Sequence, residues 1–304
     1  MSGPLLLTDV PWLLYRSFFA LPKSIVDADG RPVNALLGTV NAVLTLIDAQ
    51  PSAEHPRGVV SCLGAEQADY RVELYPPYHA HRDPMPAELA EQWKKAPALL
   101  ESLGWSTAGS EDLEADDVMF SFARAEEKRG GRSLLLTGDR DLFGAVTAHT
   151  AVLELHKGGK HGTIGPAEVR ERYGVQPAQV PDLIALRGDP SDGLPGAPGI
   201  GAKTAAQLLD EHGSLEACIA AAQGALADAM PDRACALAGM RPRIAAALAE
   251  NAQLLHSFKL IATLQRIDVQ PPPDRPTDFL AGAHAAAGLG MRRLSERLET
   301  LATA

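Results

Sequence analysis

Surplus carboxylates are the residues in this chain best suited to do chemistry. Asp9 closes the apolar run LLLTD; Glu114, Asp116 and Asp117 stand in LEADDVM; Asp139 and Asp141 in TGDRD; Asp189 and Asp192 in RGDPSDGLPG. Anionic, oxygen-only donors suit the hard cations Mg2+ and Mn2+. Crowded into one cleft without cations, they would repel one another strongly, because a low-dielectric crevice screens little. Two such ions about 4 Å apart would clamp the attacking and leaving oxygens of a phosphodiester. Each piece has a duller explanation: an acid at a helix start complements the dipole, and an Asp after a strand can be a solvated cap. Four separate segments supplying surplus acid to one edge of a sheet favour metal binding over four unrelated caps.

The stretch LPGAPGIGAKTA, Leu194 to Ala205, offers a second chemistry. A Gly-Ile-Gly turn between two short helices exposes backbone N–H groups at the start of the second helix. With the helix dipole and Lys203 they make an anion site suited to a DNA phosphate. Gly199 and Gly201 are expected to allow positive φ and close approach, with Ile200 packed inward. Such a contact reads backbone shape and carries no base sequence. A tight helix–helix turn would need only the GxG; the longer pattern, directly after Asp-x-x-Asp, asks for more.

The elements that must position these groups read as α/β. Strands are expected at Leu5 to Asp9, Gly58 to Leu63, Ser133 to Thr137 and Ala151 to His156, with helices over about 34–49 and from Ala115 to near Gly130. Strands alternating with helices predict a central, mostly parallel twisted sheet flanked by helices. Residues just past the carboxyl ends of parallel strands share one crevice, which suits Asp9, Asp139 and Asp141. A helix opening from the same edge brings Glu114 and Asp117 onto one face. The segment 66–103, with Arg71, Arg82, Tyr70, Tyr75, Tyr78, Trp93 and several prolines, reads as an exposed, partly helical insertion. A boundary falls between an α/β part, 1–164, and a helical part, 165–304, which holds the hairpin at about 183–212. The tail beyond Pro271–Pro273 is a Pro-rich connector and an Ala/Leu-rich helix with no evident role.

The 304 residues can bury a full core with room for a smaller helical part. Asp9 and Pro11 interrupt the first apolar run, so neither a signal peptide nor a spanning helix fits. Cys62, Cys218 and Cys235 form no CxxC pair and read as reduced thiols of a cytoplasmic protein. A net charge of −10 argues at first against nucleic acid, but most of it resides in the acids above and is cancelled if cations fill them. A monomer without membrane contact is expected.

At this point the sequence resembles the 5′-nuclease family: the N-terminal exonuclease domain of bacterial DNA polymerase I, phage 5′-exonucleases and flap endonucleases. The likeness rests on LLLTDVPWLLYRSF, YRVELYPPYHAHR, LEADDVM, TGDRDL and RGDPSDGLPGAPGIGAKTA, in the family's order over roughly the first 265 residues. It implies a PIN-like sheet, a helical arch formed by about 66–103, and a helix–three-turn–helix motif that binds DNA and holds K+. It implies hydrolysis near 5′ ends or flap junctions with two or more Mg2+ or Mn2+ ions, on flapped, nicked or 5′-ended duplex DNA or an RNA/DNA hybrid, in replication or repair. By that resemblance Asp9, Glu114, Asp116, Asp117, Asp139, Asp141, Asp189 and Asp192 match metal-site carboxylates, with Arg82 beside them in catalysis. Arg16, Arg71, Tyr78, His79, Gly199, Gly201 and Lys203 match substrate-binding positions.

The departures carry expectations of their own. The second family strand normally ends in an Asp, and that position here is Gly64, unless Glu66 or Asp69 reaches in. One metal site is therefore expected to be weak, with reliance on Mn2+ or high Mg2+. The family's Tyr-Lys is Tyr78-His79, which predicts DNA affinity that strengthens on acidification. The Asp-Asn after the Asp-x-x-Asp start is Asp192–Gly193. Gly64 also keeps alive a rival: a structure-specific DNA-binding protein of the same fold whose cleavage has weakened.

Overall fold

In this computed structural model, which describes residues 3–49, 55–156, 161–228 and 230–303, the strand LLLTD is buried at every position. A strand apolar on both faces belongs inside a parallel sheet covered on both sides. The chain runs β1 (Leu5–Asp9), α1 (Val10–Ala20), α2 (Asn34–Ala49), β2 (Gly58–Cys62), α3 (Asp69–Leu74), α4 (Ala87–Ser102), β3 (Ser106–Ala108), α5 (Ala115–Lys128), β4 (Ser133–Leu136), β5 (Thr150–Leu155) and β6 (His161–Ile164). Only helices follow among the described residues: α6 (Pro166–Tyr173), α7 (Val180–Arg187), α8 (Ala202–His212), α9 (Leu215–Leu226), α10 (Pro231–Leu237), α11 (Pro242–Glu250), α12 (Ala252–Ala262), α13 (Phe279–Gly288) and α14 (Arg292–Ala302).

The sheet order is β3-β2-β1-β4-β5-β6, parallel throughout except for β6, which runs antiparallel to β5. The edge strands β3 and β6 were not expected: Ser-Thr-Ala and His-Gly-Thr-Ile lack the apolar run that marked the inner strands. Side-chain alternation splits the interior into two cores. Leu5, Leu7, Val60, Leu135 and Val152 face α5 and the helices from α7 to α12, while Leu6, Val59, Leu136 and Leu153 face α1, α2 and α4.

Two expectations need correction. The segment 66–103 is not an exposed insertion. Leu89, Ala96, Leu99 and Leu100 of α4 are buried in the second core, and the Gln92 amide oxygen accepts from Ala35 N (2.8 Å) and Leu36 N (3.3 Å), capping the start of α2. What passes near the acids is α3, through Arg71, and the short stretch between α3 and α4. Nor do residues 165–304 form one helical part. The tail doubles back: Ala283, Ala286, Met291, Leu294 and Leu298 join the core of Leu6 and Val59, on the sheet face opposite α7–α12. An extended strap delivers them, with Arg275 N donating to Arg57 O and Asp278 N to Leu103 O, each at 2.8 Å. Arg57 forks onto Glu126 beneath it (2.6 and 3.0 Å) and also reaches Asp274 and Pro272 O. No helix among the described residues is long and apolar enough to cross a membrane.

Candidate metal and nucleic-acid site

β1 and β4 are neighbours in parallel register, so their carboxyl ends deliver Asp9 and the loop Thr137–Asp141 to one crevice. Asp9, 6 % exposed, caps α1 by accepting from Trp12 N (3.0 Å) and takes a second bond from the Thr137 hydroxyl (2.7 Å). Burial pushes its carboxyl up from 3.8 to about 6; those two donors hold it down in part, and Asp116 and Glu114 push it further up. Thr137 N-caps the next turn by accepting from Asp139 N (3.0 Å), and Asp139 accepts from Asp141 N (2.9 Å). Asp139 stands at the accessible lip of the crevice, yet enclosure and then the charges of Asp116 and Asp192 raise it to about 8. Asp141, buried, is raised well above 3.8 by burial and then by Asp139, Asp192, Asp189 and Asp116. Asp116 is raised by burial, with Arg71 opposing and Glu114 and Asp192 adding. Four segments distant in sequence thus repel one another in one place.

Arg71 organises the other side of the cluster. Its guanidinium, 2 % exposed, meets Glu114 (2.9 Å), Asp117 (3.0 Å) and Asp116 (3.4 Å), and its Nε donates to Ile261 O (3.1 Å). Glu114 also accepts from the Tyr78 hydroxyl at 3.1 Å. Asp117, fully buried, accepts from Gln265 N (2.7 Å) as well, tying α5 to the strap. The expected shared face of Glu114 and Asp117 therefore exists, but it faces an arginine. Arg71 and Tyr78 do not stand in an exposed insertion: both are buried, and both bind acids.

Asp192 is likewise paired. Its Oδ1 receives His79 Nε2 (3.0 Å) and Arg82 Nη2 (3.1 Å), and Arg82 remains half-exposed. His79 is 5 % exposed and faces Asp192 in this DNA-free structure. Asp189 accepts from Ser191 N (2.8 Å) and lies 3.6 Å from Arg187. Arg16 is exposed on α1 and lies over the Trp12 ring at 5.6 Å. A Cβ at Gly64 would come within 2.5–2.6 Å of the backbone of Leu113, Glu114 and Ala115. Glu66 and Asp69 do not replace the missing acid: both are exposed, and Glu66 accepts from the Tyr15 hydroxyl (2.8 Å).

In the hairpin, α7 and α8 flank the turn and Ile200 is 4 % exposed, packed inward. Gly199 has φ 78° and opens to solvent, whereas Gly201 has φ −93° and serves as the N-cap residue of α8 with nothing near its Cβ direction. The close approach falls instead at Gly196, where an added Cβ would stand 2.3 Å from Gly188 N. Lys203 is exposed in the first turn of α8. Sequence reasoning missed Thr137, Gln265 and Arg187; Thr137 in TGDRD and Arg187 in RGDPSDGLPG stood beside the acids and carried a signal, whereas Gln265 carried none. Donor chemistry fits hard divalent cations, since the crevice offers desolvated, mutually repelling carboxylates. As placed, no three His, Cys, Asp or Glu among the described residues stand close enough to share one ion.

The sheet, the acids at its carboxyl edge and the hairpin beside them define a nuclease-like α/β protein. Residues 4–174 match a family profile described as the N-terminal resolvase-like domain of 5′-3′ exonuclease, and 175–275 match its C-terminal SAM fold. The chain belongs to the 5′-3′ exonuclease family. A 5′-3′ exonuclease of Mycobacterium tuberculosis is 37 % identical over 333 aligned positions, covering 99 % of both chains. One of Streptomyces coelicolor is 39 % identical, covering 80 % of this chain and 83 % of that one. DNA polymerase I of Mycobacterium leprae is 38 % identical over 71 % of this chain but only 23 % of its own length. The fold resembles the T5 D15 protein co-crystallised with metal ions (TM-score 0.67, 17 % identity, covering 98 % and 99 % of the two chains). It also resembles the catalytic core of Rad2 in complex with DNA substrate (TM-score 0.60, 13 % identity, covering 98 % and 91 %).

Proposed function

We propose that the chain is a divalent-metal-dependent, structure-specific 5′-nuclease, hydrolysing phosphodiesters near 5′ ends or flap junctions of DNA as a monomer. The observation that carries this reading is the mutual repulsion of Asp9, Asp116, Asp139 and Asp141, acids from three segments whose protons are held above the ordinary carboxylate range. With Asp189 they are the residues that would hold two Mg2+ or Mn2+ ions. Such ions would supply Lewis acidity and charge neutralisation at the phosphate. Glu114, Asp117 and Asp192 already face Arg71, His79 and Arg82 and serve to place the others. The start of α8, with Gly199, Gly201 and Lys203, would bind a duplex phosphate away from the cut, with K+ at the same turn. Arg82, half-exposed and bound to Asp192, would steer the scissile strand.

Hydrolysis then adds water to phosphorus and breaks one P–O bond, the leaving oxygen taking up a proton. Cleavage of a 5′-flap duplex with Mn2+, by wild type and Asp141→Asn, tests the reading. Wild type should cut and the variant should lose at least ~100-fold in rate, with DNA affinity retained. Cleavage untouched by the substitution sinks it. Gly64 favours a second reading, a DNA-binding protein with weakened cleavage: DNA binding without Mn2+-dependent cutting by wild type would select it.

A further inference from the structure

His79 is the only residue other than glycine with positive φ among the described residues, at 54°. Left-handed backbone is unfavourable for a side chain with a Cβ, and it persists where surrounding contacts hold it. Those contacts are unusual. The imidazole stacks on its neighbour Tyr78 (centroids 3.8 Å apart, 22° between planes), and Nε2 points at Asp192 Oδ1 at 3.0 Å. The backbone N–H of His79 donates to Asp192 O at 3.2 Å. Behind it, the Gln67 amide donates to Tyr78 O at 3.0 Å, and the Tyr78 hydroxyl reaches Glu114. A Cβ on Gly193 would meet Pro77 O at 3.1 Å, so the two loops touch along their backbones as well.

Simple burial does not explain this side chain. A core filler would not keep one ring nitrogen on a carboxylate and leave the other, Nδ1, buried without a partner. Arg82 binds the same oxygen, but its side chain is 48 % exposed, and an exposed pair constrains geometry weakly. The directional contact is the buried one.

We propose that His79 is a positioning residue: it clasps the stretch 75–82 to the loop Asp189–Gly193 and fixes where the Asp192 carboxylate stands beside Asp139 and Asp141. The chain Glu114–Tyr78–His79–Asp192 joins the start of α5 to the entrance of the hairpin. In this chain the histidine therefore does a different job from a cation that meets substrate. The clasp itself is independent of the nuclease reading; only its consequence for cleavage rests on it.

Three substitutions separate its parts. His79→Ala keeps the backbone cost and removes the donor, His79→Gln keeps the cost and restores a donor of similar reach, and His79→Gly removes both. Amide hydrogen exchange of the full-length, DNA-free protein reads the clasp. Residues 189–194 should exchange roughly tenfold faster or more in the Ala and Gly variants, matching the loss of a hydrogen bond to a charged group. The Gln variant should stay near wild type. Gln behaving like Ala, or protection of 189–194 untouched by all three, overturns the clasp. On a 5′-flap duplex with Mn2+, kcat should fall about tenfold in the Ala variant and recover with Gln, at unchanged KM. Altered exchange with unaltered kcat overturns the positioning role. A wild type that cuts nothing defeats the nuclease reading instead, and exchange alone then judges the clasp.

Discussion

The acids of the crevice divide into two groups that sequence alone treats as one. Glu114, Asp117 and Asp192 each sit within hydrogen-bond distance of a cationic or polar side chain: Arg71, Tyr78, His79 or Arg82. Asp9, Asp139 and Asp141 have no ion pair among the described residues and face other carboxylates, with Asp116 and Asp189 between the groups, at 3.4 Å from Arg71 and 3.6 Å from Arg187. The paired acids have partners in the fold that fix their geometry, although burial and then Asp116 still raise Asp117 to about 7 against the pull of Arg71. The unpaired acids have no cation in the chain to oppose the same rise, which is the state a divalent cation would relieve. On the proposed function one cluster would do two jobs, holding ions and placing the residues that hold them.

The strongest way to break that division is to remove Arg71. Arg71→Met should leave Glu114 and Asp117 as uncompensated buried charges and destabilise the protein by about 3–5 kcal/mol, read as a lower urea midpoint. Mn2+ should stabilise the variant more than wild type, because cations would then be drawn to the paired group too. A loss below about 1 kcal/mol would mean that Arg71 is a solvated surface pair, contrary to its burial.

The unpaired group should show itself through pH. In metal-free protein the folded state holds the Asp9 proton more tightly than the unfolded chain does, about 6 against 3.8, and Asp139 is raised to about 8. Their contribution to stability is fully present below about pH 4 and is lost as pH rises through these raised values. For Asp9 the loss is on the order of 3 kcal/mol. Chelator-treated protein should therefore lose thermal stability from about pH 5 to 8, and Mn2+ should restore it most at the upper end. Asp9→Asn should flatten the lower part of that slope. A slope of the opposite sign would place these acids among favourable partners.

How much of this was legible follows from which signals are local. The inner strands β1, β2, β4 and β5 announced themselves as apolar runs, and the strand-end rule then placed Asp9, Asp139 and Asp141 together. β3 and β6 carry too little apolar character to register. Arg71 sits among tyrosines and prolines, and an arginine in such a stretch reads as exposed. Its burial depends on Ile261 O and on α5, which nothing near it in the chain reveals. The tail reads as an appendix because Ala and Leu spacing says a helix has an apolar face without saying which core that face will enter.

Gly64 tests whether another acid would join the unpaired group. By sequence, the position lacks a carboxylate that Gly64→Asp should return, tightening Mn2+ binding. By structure, the same substitution drives a Cβ to 2.5 Å from Ala115 N and forces the start of α5 outward, carrying Glu114 and Asp116 with it. Gly64→Asp should cost roughly 1–3 kcal/mol, the usual range for overpacking. Mn2+ affinity should fall, and Gly64→Ala should reproduce most of both effects because the clash begins at Cβ. If Gly64→Asp instead binds Mn2+ more tightly while Gly64→Ala does not, the backbone at 64 yields, and the unpaired group has room for one more ligand.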